Sequence, residues 1–137
     1  MINPQSLSGF NLYPSVDEQE IKKVETDMGL KFPRVFRELL KLTNGFETEE
    51  GVLIFGTDII SERNQTYEVS EYAPGYIAIG SNGGGQFYLM PANEDSIELI
   101  QVDTGVMNPQ FASLVSDSFI HWINDGAINI DLLDEEC

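Results

Sequence analysis

Ala78-Ile79-Gly80-Ser81-Asn82-Gly83-Gly84-Gly85-Gln86-Phe87-Tyr88-Leu89-Met90 sets four glycines in six residues between two apolar runs. Its reading decides the fold. A glycine-rich phosphate cradle would lead from a strand into a helix and imply a parallel α/β sheet, whereas a tight hairpin would join two antiparallel strands. The residues favour the hairpin. A G-x-G-x-x-G fingerprint starting at Gly83 meets Tyr88 where its last glycine belongs, and strand-like residues follow it rather than a helix. A P-loop needs Gly-Lys-Ser/Thr, and no lysine occurs after Lys41. The glycines and Asn82 are residues that adopt positive φ at little steric cost, as a tight turn requires.

Outward from the hairpin, residues 76–80, 86–90 and 97–102 are the best strand candidates, and the short turns between them predict an antiparallel meander. Residues 51–56, an apolar run bounded by glycines, predict a further short strand. Residues 66–72 alternate weakly and read as an edge strand or loop. Towards the amino terminus the period changes to helical. Ser15-Val16-Asp17-Glu18 has capping-box form, and behind it Ile21, Val24 and Met28 share a face, with Glu20, Lys22, Lys23, Glu25 and Asp27 opposite. This predicts a helix over 16–28, ended by a left-handed Gly29. Pro33 predicts the first position of a second helix, to about Thr43, with Phe36, Leu39 and Leu40 inward, Arg34, Arg37, Glu38 and Lys41 in water, and Asn44-Gly45 as its stop. Towards the carboxyl terminus, Asn108-Pro109 predicts a third helix ending near Gly126, with Phe111, Leu114, Val115, Phe119 and Trp122 on one face. The tail predicts at most a short strand. The expected class is α+β: one domain, residues 1–137, with an antiparallel-rich central sheet of about four to six strands, two N-terminal helices and one C-terminal helix packed on it.

Charge narrows the partner classes. The net charge is −16, and all seven bases lie between residues 22 and 63, so the 74 residues that follow carry twelve acids and no base. Nucleic acid and anionic membranes are therefore unexpected partners, because both are held by Lys and Arg. The field suits a basic protein, met through electrostatic steering. No apolar run approaches the length needed to span a membrane, the first residues lack signal-peptide character, and the one cysteine, Cys137, can form no internal disulfide; a soluble cytoplasmic protein is expected. Catalytic constellations are not recognisable either. His121 is the single histidine, in an apolar stretch without a Ser or Cys partner, and Gly80-Ser81-Asn82-Gly83 misses nucleophile-elbow spacing. The acidic run 93–98 lacks the glycine and alternating oxygens of a calcium loop. No enzyme activity, metal or cofactor is expected.

Ile21-x-x-x-Glu25-x-x-x-Gly29-x-x-Phe32-Pro33-x-x-Phe36-x-x-Leu39-Leu40-x-x-x-Asn44-Gly45 resembles the amino-terminal signature of the Smi/Knr family within the SUKH superfamily. Ile54-Phe55-Gly56 is similar to the family's first strand, residues 79–85 to its central glycine-rich hairpin, and residues 111–122 to its closing helix. The resemblance covers residues 15–125 and leaves 1–14 and 127–137 peripheral. It implies an α+β binding protein without enzymatic machinery. In bacteria it implies an immunity protein that neutralises a cognate polymorphic or contact-dependent toxin, often a nuclease. In fungi it implies a regulatory scaffold, usually in longer chains; the compact domain here favours the bacterial reading. An acidic surface suits the basic groove of a nuclease, with a cognate basic toxin domain as the expected partner. Two acidic segments with aromatic neighbours are expected to contribute: Glu47, Glu49 and Glu50 after Phe46, and Glu68, Glu71 and Tyr72. The alternative is a non-enzymatic scaffolding module in cell-wall or signalling work.

Overall fold

The computed structural model describes residues 1–135 and shows an α+β fold. Seven strands form one sheet in sequence order, each antiparallel to the next: β1 Asn11–Leu12, β2 Phe46–Glu47, β3 Leu53–Ile54, β4 Tyr76–Ser81, β5 Gln86–Pro91, β6 Leu99–Asp103 and β7 Ser113–Ser116. The meander is longer than the four to six strands expected: β1 and β2 are two-residue strands carrying too little sequence for a period of two to be visible, and β7 lies where a helix was expected. Its centre is the glycine-rich hairpin, with Ile77 opposite Met90 and Ala78 opposite Leu89, and a bulge between Ala78 and Gly80.

Helices cover both faces of that centre. Successive side chains of β5 point to opposite sides. Phe87 packs edge-on to Phe55, ring centroids 5.5 Å apart, and against Tyr67, whereas Tyr88 packs against Trp122 at 5.0 Å. Tyr67 ends α3 Ile60–Thr66, which is followed by α4 Val69–Tyr72; Trp122 belongs to α5 Phe119–Asn124. Residues 66–72 are thus helical turns rather than an edge strand or loop. Buried Asn64 of α3 fixes them, donating to Ala78 O and accepting from Ala78 N, both at 2.9 Å, so α3 is pinned by hydrogen bonds to β4 backbone.

The amino-terminal pair is α1 Glu18–Met28 and α2 Arg34–Leu40. Asp17, not Ser15, caps α1, accepting from Glu20 N at 3.0 Å; Val16 N instead donates to Leu40 O, which keeps residues 15–16 out of the helix. Gly29 ends α1 at φ +69°. Pro33 precedes α2 as its cap residue, and α2 stops at Leu40, three residues before the expected end. Seven residues make a marginal helix by themselves. Burial of Phe36, Leu39 and Leu40, each worth about 1.5–3 kcal/mol over exposure, holds it. Glu25, expected in water, is buried and accepts from Phe32 N at 2.7 Å, and Arg37 is largely buried beside it.

The carboxyl-terminal third departs most from expectation. Asn108-Pro109 opens a 3-10 turn, Pro109–Phe111, then comes β7, and only Phe119–Asn124 is helical. Phe111 and Leu114, read as core, are 74% and 58% exposed. Their helical spacing was coincidental, and the true start is Ser118, whose hydroxyl accepts from His121 N. His121 itself is exposed. The tail forms α6 Ile130–Glu135 rather than a strand, and Cys137 lies outside the described residues. Among the described residues no helix is long and apolar enough to cross a membrane.

Candidate binding face

Side chains within the hairpin loop take up three of its backbone amides. Gly83 N donates to Ser81 Oγ, and Gly84 N and Gln86 N both donate to Asn82 Oδ1, at 2.8 and 3.2 Å. These amides are therefore not offered to an anion. Gly83 and Gly85 take positive φ, but Asn82 does not. Asn82 acts instead as a buried hub: its Nδ2 donates to Asp131 of α6, which also accepts from Gln101 of β6, and its carbonyl accepts from Asn129. Nearby, the buried Tyr88 hydroxyl is held neutral well above the usual phenol range, chiefly by burial and then by Asp131 and Glu50.

The six expected partner residues fall into two groups. Glu47 lies on β2, and Glu49 and Glu50 in the turn to β3; all three are exposed. Glu68, Glu71 and Tyr72 are exposed on α4, which packs on β4. No described hydrogen bond or ion pair links the groups. Within the second, Glu68 caps α4 in a left-handed conformation, φ +53°, and a hydrogen bond with Glu71, then its charge, raises the Glu68 carboxyl above the ordinary range.

Around Glu47 the fold adds two groups that lie far from it in sequence. Pairing of β1 with β2 sets Asn11 opposite Glu47, and Tyr13, just beyond β1, donates its hydroxyl to Glu47 Oε1 at 2.6 Å. That bond, more than the carboxylate's charge or that of Asp58, raises the Tyr13 phenol above its usual range. Asp58 follows β3. Tyr13, Val16, Glu47, Leu53, Asp58 and Ile59 together line a groove of about 480 Å³.

Uncharged contacts hold the groove's backbone. Buried Thr43 accepts from Tyr13 N at 3.0 Å and donates to Gly45 O at 2.6 Å, fixing the amino-terminal segment to the turn after α2. Asn44 clasps the far wall, accepting from Thr57 N at 2.8 Å and donating to Thr57 Oγ1 at 3.1 Å. Two glycines permit that approach. A Cβ at Gly45, φ +85°, would fall 2.3 Å from Ile54 O, and one at Gly56 would fall 2.4 Å from Asn44 O. Asn44-Gly45, read from sequence as a helix stop, is thus also the floor joint of the groove.

The countercharges lie elsewhere. Arg34 pairs with Glu94 and Asp95, Arg37 with Glu18 and Glu25, Lys41 with Glu18, and Arg63 with Glu62. Among the described residues, Glu47, Glu49, Glu50, Asp58, Glu68 and Glu71 make no ion pair. Sequence reasoning missed Tyr13 and Asp58, whose place beside Glu47 is set by strand pairing rather than by local pattern.

The profile of the SMI1 / KNR4 family (SUKH-1) matches residues 15–125. An uncharacterised protein, YnaB, of Bacillus subtilis (strain 168) is 31% identical over 80 residues, 58% of this chain and 54% of that protein. The matched segment thus spans about half the relative's length. The match to the family profile begins before α1 and ends beyond α5, taking in both amino-terminal helices, the Asn44-Gly45 joint and the central hairpin; the chain belongs to the SMI1 / KNR4 (SUKH-1) family.

Proposed function

We propose that this protein is an immunity protein: a non-enzymatic binding module that neutralises a cognate toxin in the cytoplasm by direct contact, the toxin being a nuclease with a basic active-site groove. The observation that carries this reading is the acidic edge formed by β1, β2 and β3, where Glu47, Glu49, Glu50 and Asp58 are exposed and, among the described residues, make no ion pair, in a chain of net charge −16 whose family suggests the immunity type. Exposed carboxylates without countercharges repel one another, so a basic partner relieves a cost the free protein carries. The α4 carboxylates Glu68 and Glu71, with Tyr72 as an aromatic anchor, form a second contact patch in this reading.

The test is coexpression with the product of the adjacent toxin gene. Survival of cells carrying the wild-type chain, and death of those carrying Glu49→Lys with Glu71→Lys, is the expected result. Killing despite wild-type chain, with no complex in a pull-down, overturns the reading in favour of a scaffolding module.

A further inference from the structure

We propose that the groove between Tyr13 and Asp58 is a socket for one arginine side chain, presented by a loop of the protein partner. The argument starts from what lines it. Val16, Leu53 and Ile59 make apolar walls, while Glu47 and Asp58 place two carboxylates at an exposed tyrosine. A cavity of about 480 Å³ lies within the roughly 300–1,000 Å³ typical of ligand clefts and takes a long side chain together with a neighbouring apolar residue. The chemistry selects the occupant. An anion is repelled by the two carboxylates, and an apolar side chain desolvates them without supplying a countercharge.

A cation with an aliphatic stem satisfies both walls and charges. Among cations, guanidinium fits better than ammonium: it is planar, weakly hydrated, donates in a fork to carboxylates, and stacks on aromatic rings such as Tyr13. The receptor side is already ordered. The Tyr13–Glu47 hydrogen bond fixes one carboxylate, and the Asn44–Thr57 clasp fixes the loop that carries Asp58, so little conformational entropy is lost on binding. The protein's own arginines do not fill the role, since Arg34, Arg37 and Arg63 each pair with other acids. The identity of the presenting protein rests on the immunity reading; the groove's preference for guanidinium does not.

The experiment separates the two. The full chain is titrated with L-argininamide, and with L-lysinamide at equal ionic strength, while backbone amide shifts are followed by NMR. Saturable shifts at Tyr13, Glu47, Leu53 and Asp58, at least threefold tighter for argininamide and lost in Glu47→Gln/Asp58→Asn, are expected. Shifts that do not saturate, that centre on Glu68 and Glu71, or that survive the double variant overturn the socket. The variant's urea midpoint, expected within error of wild type, guards against misfolding; should it fall, Asp58→Asn alone is used. The same variants are then tested for complex formation with the adjacent toxin. If argininamide fails to bind but wild type and variant capture the toxin equally, the socket is wrong and the immunity reading stands. If argininamide binds but wild type captures no toxin, the socket stands and the immunity reading fails.

Discussion

The joint between α1 and α2 and the edge made by β1, β2 and β3 are both rich in charge, yet they use it in opposite ways. At the joint, Glu25 is buried against Phe32 N, and Arg37 lies between Glu18 and Glu25. These charges are built into the structure. At the edge, the backbone is fixed by neutral groups, Thr43, Asn44, Gly45 and Gly56, and the carboxylates of Glu47, Glu49, Glu50 and Asp58 are left without countercharges. The contrast teaches that acid counts alone do not locate a binding face. An acid whose cation is internal supports the fold; an acid held in place by uncharged scaffolding and left unpaired is available to a partner.

Substitutions can break that contrast. The largest effect is expected at the neutral scaffold. Gly45→Ala puts a Cβ into Ile54 O at a positive φ, and about 3 kcal/mol or more of stability should be lost, read as a lower urea midpoint. Retention of wild-type stability would mean that the joint beneath the groove is not tightly built. Next is the buried acid. Glu25→Ala strands the Phe32 amide and one side of Arg37, costing about 2–4 kcal/mol, whereas Glu47→Ala should stay within about 0.5 kcal/mol of wild type. Equal losses in urea unfolding would erase the distinction between the two regions.

Binding should show the reverse order. Glu47→Lys is expected to weaken the toxin complex by about tenfold to a hundredfold, while Lys22→Glu, on the exposed side of α1, changes it less than about threefold; calorimetry compares them. The smallest effect is a titration. The Tyr13 phenol, raised by its bond to Glu47, should move down towards the ordinary tyrosine value in Glu47→Gln, followed by NMR of the ring. A raised phenol pKa favours the folded state below the unfolded value and loses that contribution as pH rises through the folded one, so any stability difference between the two proteins is present at neutral pH and shrinks in the alkaline range. An unchanged pKa would show that the Tyr13–Glu47 bond is absent in solution.

How much of this was legible in sequence depended on the length over which each signal ran. The hairpin from β4 to β5 and the stripe on α1 extend over enough residues for a period to emerge. Phe46–Glu47 and Asn11–Leu12 have two residues each and become strands only by pairing. At residues 109–122 a true spacing of apolar residues belonged to three separate elements, and Phe111 and Leu114 face solvent. Pro109 and Ser118 each carried a local start signal, and the later one marked the helix. The acids of the candidate face were visible as a run at Glu47, Glu49 and Glu50. Tyr13 and Asp58 were not, because only the β1–β2–β3 register and the Asn44–Thr57 clasp bring them beside Glu47.

The central claim, that unpaired carboxylates on the β1–β3 edge meet a basic partner, is tested most directly by the association rate of the full chain with the toxin domain as salt is raised. From about 0.05 to about 0.5 M salt the rate should fall tenfold or more for wild type, and clearly less for Glu47→Lys/Glu49→Lys. A rate indifferent to salt, or the same dependence in wild type and variant, would contradict the account.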